Sequence, residues 1–218
     1  MQFDTQKKEL ALKLVYYGPA LSGKTTNLQA IHGFIDPKNR GRLMTLNTQD
    51  DRTLFFDLLP VYFRTATGFT VRIKLYTVPG QVIHEATRRI VLQSTDGVAF
   101  IADSQNKEAL NNNTSWKDLI SNLGANNFDP EIVPKVIQFN KRDLPDIKSD
   151  EEIVKIAKKG KEPVYKAVAV EGLGVLDTLY GLLRMVWIHI EKKHQLERKL
   201  GISSDQFLDG IFHSFENT

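Results

Sequence analysis

Residues 18–25 read Gly-Pro-Ala-Leu-Ser-Gly-Lys-Thr, and no other stretch restricts the possible folds as strongly. Before it runs a mostly apolar segment with Leu12, Leu14, Val15, Tyr16 and Tyr17, which reads as a strand; after it, Asn27, Leu28, Ile31 and His32 begin a helical spacing. A glycine, four residues and Gly-Lys-Thr, set between a strand and a helix, is the arrangement that cradles phosphate groups. Successive loop N–H groups and the positive end of the following helix form a concave anion site. Lys24 then brings a point charge to the β and γ phosphates, and the Thr25 hydroxyl is placed for Mg²⁺. Gly18, Pro19, Ala20, Leu21, Ser22, Gly23, Lys24, Thr25 and Thr26 are the expected phosphate-binding set.

At 218 residues the chain suits a single α/β domain with appendages. It has no cysteine, which excludes disulfides and thiolate metal sites. The net charge is +3 with no long basic block, which argues against nucleic-acid binding. No apolar run approaches the roughly 20 residues that a bilayer span needs, and no signal-peptide pattern is present. The expectation is a cytoplasmic protein without a transmembrane segment.

Residues 1–9 are polar and read as a flexible N-terminus. A polar stretch at 48–53 followed by a dense apolar run at 54–60 reads as a mobile loop anchored by its aromatics. Two strands follow, around 61–67 and 69–78, turning at Thr67 and Gly68; Val71, Ile73 and Leu75 alternate with Arg72, Lys74 and Tyr76. A helix over 86–92, a buried strand over 97–102, a helix over 107–123 and a buried strand over 136–139 come next. Ser149 and the acids at 150–152 open a short helix, a last strand spans 164–170, and one long helix begins near 176 and runs to 200. This rhythm predicts a three-layer α/β fold with a mixed, mostly parallel sheet. Ligands in such sheets bind at the carboxyl ends of the strands.

Asn140-Lys141-Arg142-Asp143 follows directly on a predicted strand, where a base-recognition loop belongs. A carboxylate there accepts hydrogen bonds from both N1–H and N2–H₂ of guanine, a donor pair that adenine lacks. Asp143 is thus expected to select GTP over ATP, with Lys141 along the base and Asn140 tethering this loop to the phosphate loop.

Taken together, these motifs resemble the Ras-like small GTPases, and more closely the bacterial gliding-motility GTPases of the MglA family. The likeness is carried by residues 15–19, 21–27, 51–57, 75–81 and 140–145 and covers roughly residues 10–190. It implies a GTP/GDP switch that hydrolyses GTP with Mg²⁺, in which Thr53 joins Thr25 at the metal and reports the γ-phosphate. Gly80 would offer its N–H to that phosphate, Gln81 would orient the attacking water, and Arg52 would supply a catalytic arginine in cis. Ala169 matches the alanine whose N–H meets guanine O6. The resemblance further implies a roadblock-type homodimeric activating partner, effectors in cell polarity or motility, and recruitment of a cytoplasmic protein to a cell pole.

Two positions depart from the pattern. Thr77 stands where most small GTPases carry aspartate, so a neutral hydroxyl replaces a full charge near the metal. Ala20 replaces the usual glycine, and its methyl group is expected to crowd the γ-phosphate and Gln81. Both leave open a second reading, a GTP-binding scaffold with negligible turnover.

Residues 191–218 read as a helical extension. In it Phe207, Leu208, Ile211, Phe212 and Phe215 share one face at helical spacing, after a cap at Ser203 or Ser204. Such a face needs cover, from the chain's own domain, a partner groove or a second copy.

Overall fold

The computed structural model describes residues 1–4, 6–46, 56–65, 67–81, 84–201, 203–212 and 215. Its strands are β1 (Gln2–Asp4), β2 (Glu9–Tyr17), β3 (Met44–Leu46), β4 (Phe56–Arg64), β5 (Thr70–Thr77), β6 (Gly97–Asp103), β7 (Lys135–Asn140) and β8 (Val164–Lys166). Its helices are α1 (Lys24–Phe34), α2 (Glu85–Leu92), α3 (Ala109–Ala125), α4 (Asp150–Lys159), α5 (Val175–His194), α6 (Leu196–Leu200) and α7 (Ser204–Phe212).

Alternation along β2 explains why it lies mid-sheet. Leu10, Leu12, Leu14 and Tyr16 enter the core on one face, while Val15 and Tyr17 enter the core on the other. The sheet order is β3-β4-β5-β2-β6-β7-β8, with β1 beside β2. From β5 to β8 all neighbours are parallel, whereas β3–β4, β4–β5 and β1–β2 are antiparallel. Helices α1, α5 and α7 cover one face and α2, α3 and α4 the other. This is the mixed, mostly parallel three-layer α/β sheet that the sequence predicts.

Several boundaries differ from the sequence reading. Gln2–Asp4 are not a loose N-terminus but a strand, pairing Phe3 with Leu10 and stacking Phe3 on Phe69 at 6.0 Å. The cause is the neighbouring edge: β6 pairs with β2 only from Leu14 onward, so the first half of β2 has backbone groups left for β1. Phe56–Pro60, read as part of a loop, instead begin β4, whose alternate residues Asp57, Leu59, Val61 and Phe63 are buried. The last strand stops at Lys166, and Ala169–Glu171 form a 3₁₀ turn. The long helix is broken at Gln195, which adopts a left-handed φ of 52°. That costs about 1 kcal/mol and turns the chain so that Leu196 is buried.

The extension folds onto its own domain. Phe207, Leu208, Ile211 and Phe215 are all buried in the core beneath α5. Phe207 stacks on Trp187 at 4.1 Å and meets the edge of Phe63 at 5.6 Å. Ser203 provides the cap, its hydroxyl accepting from the Gln206 N–H at 3.3 Å.

Candidate nucleotide site

The loop after β2 owes its path to three left-handed backbone positions. Gly18 has φ 143°, and a Cβ there would lie 2.2 Å from the Ile101 carbonyl oxygen. Gly23 has φ 97°, and a Cβ there would lie 2.2 Å from Asn140 Nδ2. Leu21, with φ 60°, leaves its side chain 88% exposed. Ser22 is buried, whereas Ala20 and Thr25 face the cleft. Thr26 lines the same cleft, whose volume is about 610 Å³.

Lys24 is buried, and its ammonium donates to the carbonyls of Gly18 at 3.0 Å and Pro19 at 2.6 Å. Burial pushes its pKa down to about 7; nearby Arg88 pushes the same way, and Asp57 opposes both. A phosphate placed in the loop would restore full charge to this group.

Beside Lys24 lies a cluster centred on Asp57, a residue to which the motifs assign no role. Asp57 Oδ2 accepts from the Thr25 hydroxyl at 2.6 Å and from the Thr77 hydroxyl at 2.9 Å. Asp57 Oδ1 accepts from the Thr45 hydroxyl at 2.8 Å, and the Asp57 N–H donates to Thr77 Oγ1 at 2.8 Å. Thr77, which replaces the usual aspartate, thus sits against a carboxylate contributed by β4. All the donor atoms are hard oxygens, the kind Mg²⁺ takes. Sequence reasoning passed over Asp57 because it lies inside an apolar run; carrying the alternation of Phe63, Val61 and Leu59 back one step would have put it on the buried face.

The loop after β5 packs directly onto the phosphate loop. A Cβ at Gly80 would lie 2.2 Å from Ala20 N and 2.4 Å from Ala20 Cα, so only glycine allows this approach. Gln81 beside it is exposed. Arg52 and Thr53 lie outside the described residues.

The base loop is tied to its neighbours by one amide. Asn140 Nδ2 donates to the Ser22 carbonyl and Asn140 Oδ1 accepts from the Ala169 N–H, each at 2.9 Å. The Ala169 N–H, which the resemblance directs at guanine O6, is here engaged by Asn140. Lys141, at φ 66°, forms a 2.6 Å ion pair with Asp103 at the end of β6. Asp143 is exposed on the same loop. Phosphate loop, hydroxyl–carboxylate cluster and base loop therefore meet at the carboxyl ends of β2, β5, β6 and β7, where open α/β sheets take their ligands.

The sequence has a relative among characterised proteins. The mutual gliding-motility protein MglA of Myxococcus xanthus (strain DK1622) is 45% identical to this chain over 185 residues, 85% of this chain and 95% of the relative. No protein-family model matches the chain. Identity at that level, spread over nearly the whole relative, leaves no room for a shared motif alone: the chain belongs to the MglA family of gliding-motility proteins and has the fold of a Ras-like P-loop GTPase.

Proposed function

We propose that the chain is a molecular switch that binds GTP and GDP with Mg²⁺ and hydrolyses GTP. The observation that carries this reading is the bridge made by Asn140, which holds the base loop to the phosphate loop at 2.9 Å. Asp143, which would select guanine, lies three residues further along the same loop.

Gly18 to Thr26 would hold the phosphates, with Lys24 on the β and γ groups. Thr25 and Thr53 would hold Mg²⁺, and Asp57 would supply the negative charge that Thr77 lacks. The metal, when bound, neutralises charge on the β and γ phosphates. Gln81 would orient the attacking water, the Gly80 N–H would meet the γ-phosphate, and Arg52 would stabilise charge developing on the transferred group.

In the cell this chemistry would serve polarity or motility. A roadblock-type homodimer would activate it, and effectors would read its GTP state. The protein would work from the cytoplasm and be recruited to a cell pole. Among the described residues no helix is long and apolar enough to cross a membrane.

A second reading, a GTP-loaded scaffold with negligible turnover, draws on Ala20 and Thr77, the two departures from the family pattern. Single-turnover hydrolysis by the protein alone, beside Arg52→Ala, separates the two. A rate near 10⁻² s⁻¹, on the order seen with an arginine in cis and lost in the variant, supports the switch. Binding of GTP with a rate of about 10⁻⁴ s⁻¹ or below, unchanged in the variant and unaffected by a roadblock-type partner, favours the scaffold.

A further inference from the structure

Arg88 belongs to none of the motifs, yet it is a buried cation at the edge of the cleft. It lies on α2, and its guanidinium faces two ways. On one side Nη1 donates to the Gln81 carbonyl at 2.5 Å and, more weakly, to the Pro79 carbonyl at 3.5 Å. On the other, Nε donates to Asp118 Oδ2 at 2.7 Å and Nη2 reaches Asp118 Oδ1 at 3.4 Å. Asp118, on α3, is held in turn by the Tyr17 hydroxyl, which accepts from Asn122 Nδ2 at 3.1 Å. One side chain therefore fastens the turn after β5 to α3 and to the central strand.

The two carbonyls it grips flank Gly80. A peptide unit is planar, so fixing the Pro79 carbonyl also fixes the direction of the Gly80 N–H on the other side of that unit. Fixing the Gln81 carbonyl limits rotation at the Cα from which the Gln81 side chain springs. Next to this turn lies a cavity of about 350 Å³, bounded by Ala20, Gln81, Arg88 and, on α3, Thr114 and Ser115. At roughly 30 Å³ per molecule it has room for several waters within reach of Gln81. A planar fork with donors on both sides suits the bridge, whereas a lysine keeps the charge and loses the fork.

We infer that Arg88 is a positioning residue for hydrolysis: anchored by Asp118, it sets the Gly80 N–H and the base of the Gln81 side chain relative to the phosphate loop. The inference rests on the GTPase reading above.

The test is single-turnover GTP hydrolysis at saturating nucleotide, with GTP and GDP dissociation constants measured in parallel. Arg88→Ala should slow hydrolysis roughly 10- to 100-fold, the scale of a small misplacement of reacting groups, while both dissociation constants stay within about threefold of the wild-type values. Arg88→Lys should fall between the two. A merely structural arginine would lower activity through lost folded protein, and its effect would multiply with that of Gln81→Ala. A positioning arginine acts partly through Gln81, so the double variant should be slowed by clearly less than the product of the two single effects, any remaining loss over Gln81→Ala reporting the Gly80 N–H. Wild-type turnover in Arg88→Ala, or full multiplication in the double variant, overturns the inference. Should Arg88→Ala not fold, Arg88→Lys and Asp118→Asn are read by the same criteria. Turnover by the wild type that none of these variants changes sinks the role of Arg88 alone; a wild type that binds GTP without any turnover sinks the GTPase reading with it.

Discussion

Replacing Phe207 by alanine should cost this domain a large part of its stability, although the residue lies in the extension far from the phosphate loop. The ring is fully buried, stacked on Trp187 at 4.1 Å and touching Phe63 at 5.6 Å. These walls belong to α5 and β4, which are fixed by the sheet, so the space left by the ring cannot collapse. Truncating a phenylalanine in such a site costs about 3–5 kcal/mol. For a chain of this size that corresponds to a fall in Tm of roughly 6–20 °C, at about 2–4 °C per kcal/mol. Thermal unfolding followed by circular dichroism, at one fixed GDP concentration for both proteins, reads the shift. Asp209→Ala, at an exposed position of the same helix, is the control and should stay within about 0.5 kcal/mol. A Phe207→Ala protein melting together with that control would refute the docking of α7 on its own domain, and the apolar face would then need cover from a partner or a second copy.

Four other outcomes follow from the cleft. Burial pushes the Lys24 pKa down to about 7, and a phosphate beside it favours the charged ammonium, so GDP binding at pH 8.5 should be accompanied by proton uptake; binding heats that do not vary among buffers of different ionisation enthalpy would contradict this. The same shift makes the unfolded chain hold the Lys24 proton where the native one does not, so the nucleotide-free protein should gain stability from this group as pH rises from about 7 to 10. Asp57→Asn should raise the Mg²⁺ concentration needed to retain GTP about tenfold or more, and adding Thr77→Asp should recover much of it; equal Mg²⁺ dependence in wild type and Asp57→Asn would remove Asp57 from the metal site. Ala20→Gly should speed single-turnover hydrolysis a few-fold by removing a methyl group expected to crowd the γ-phosphate and Gln81, and an unchanged rate would show that the methyl group does not crowd the reaction.

What could be read in the sequence was local. The phosphate loop was visible because its glycines, lysine and threonine are fixed by spacing. The strand β6 was visible because every residue in Gly97–Asp103 is buried and the run is apolar until its end. The start of α4 was visible because Ser149 and Glu152 form a complete capping box. Features that depend on a neighbour distant in sequence were not visible. Three residues are too few to announce β1 as a strand, and its pairing exists only because β6 leaves part of β2 uncovered. Arg88 and Asp118 stand on different helices and share no sequence pattern. The break at Gln195 follows from where Leu196 and α7 find apolar surface, not from a glycine or proline in the helix.

Thr77 and Asp57 bring these two kinds of information together. Read alone, Thr77 is a loss, a neutral group where a charge usually sits beside the metal. In the sheet, β4 runs antiparallel to β5 with Leu58 opposite Tyr76, so residue 57 lies opposite residue 77. The Asp57 N–H and carboxylate both engage the Thr77 hydroxyl, and the same carboxylate reaches Thr25. A carboxylate thus lies one rung across the ladder from position 77, against the same hydroxyl. Its support differs too, because β5 lies between two strands and is paired along its whole length, whereas among the described residues β4 is bordered beyond Leu58 only by the short strand β3. An aspartate at position 77 would be held by the middle of the sheet; one at position 57 is held by the outer hairpin β3–β4, whose two strands are joined in sequence by the segment carrying Arg52 and Thr53. Metal affinity in this protein is therefore expected to depend on how that hairpin sits, which ties the metal to the switch segment more closely than a carboxylate on β5 could.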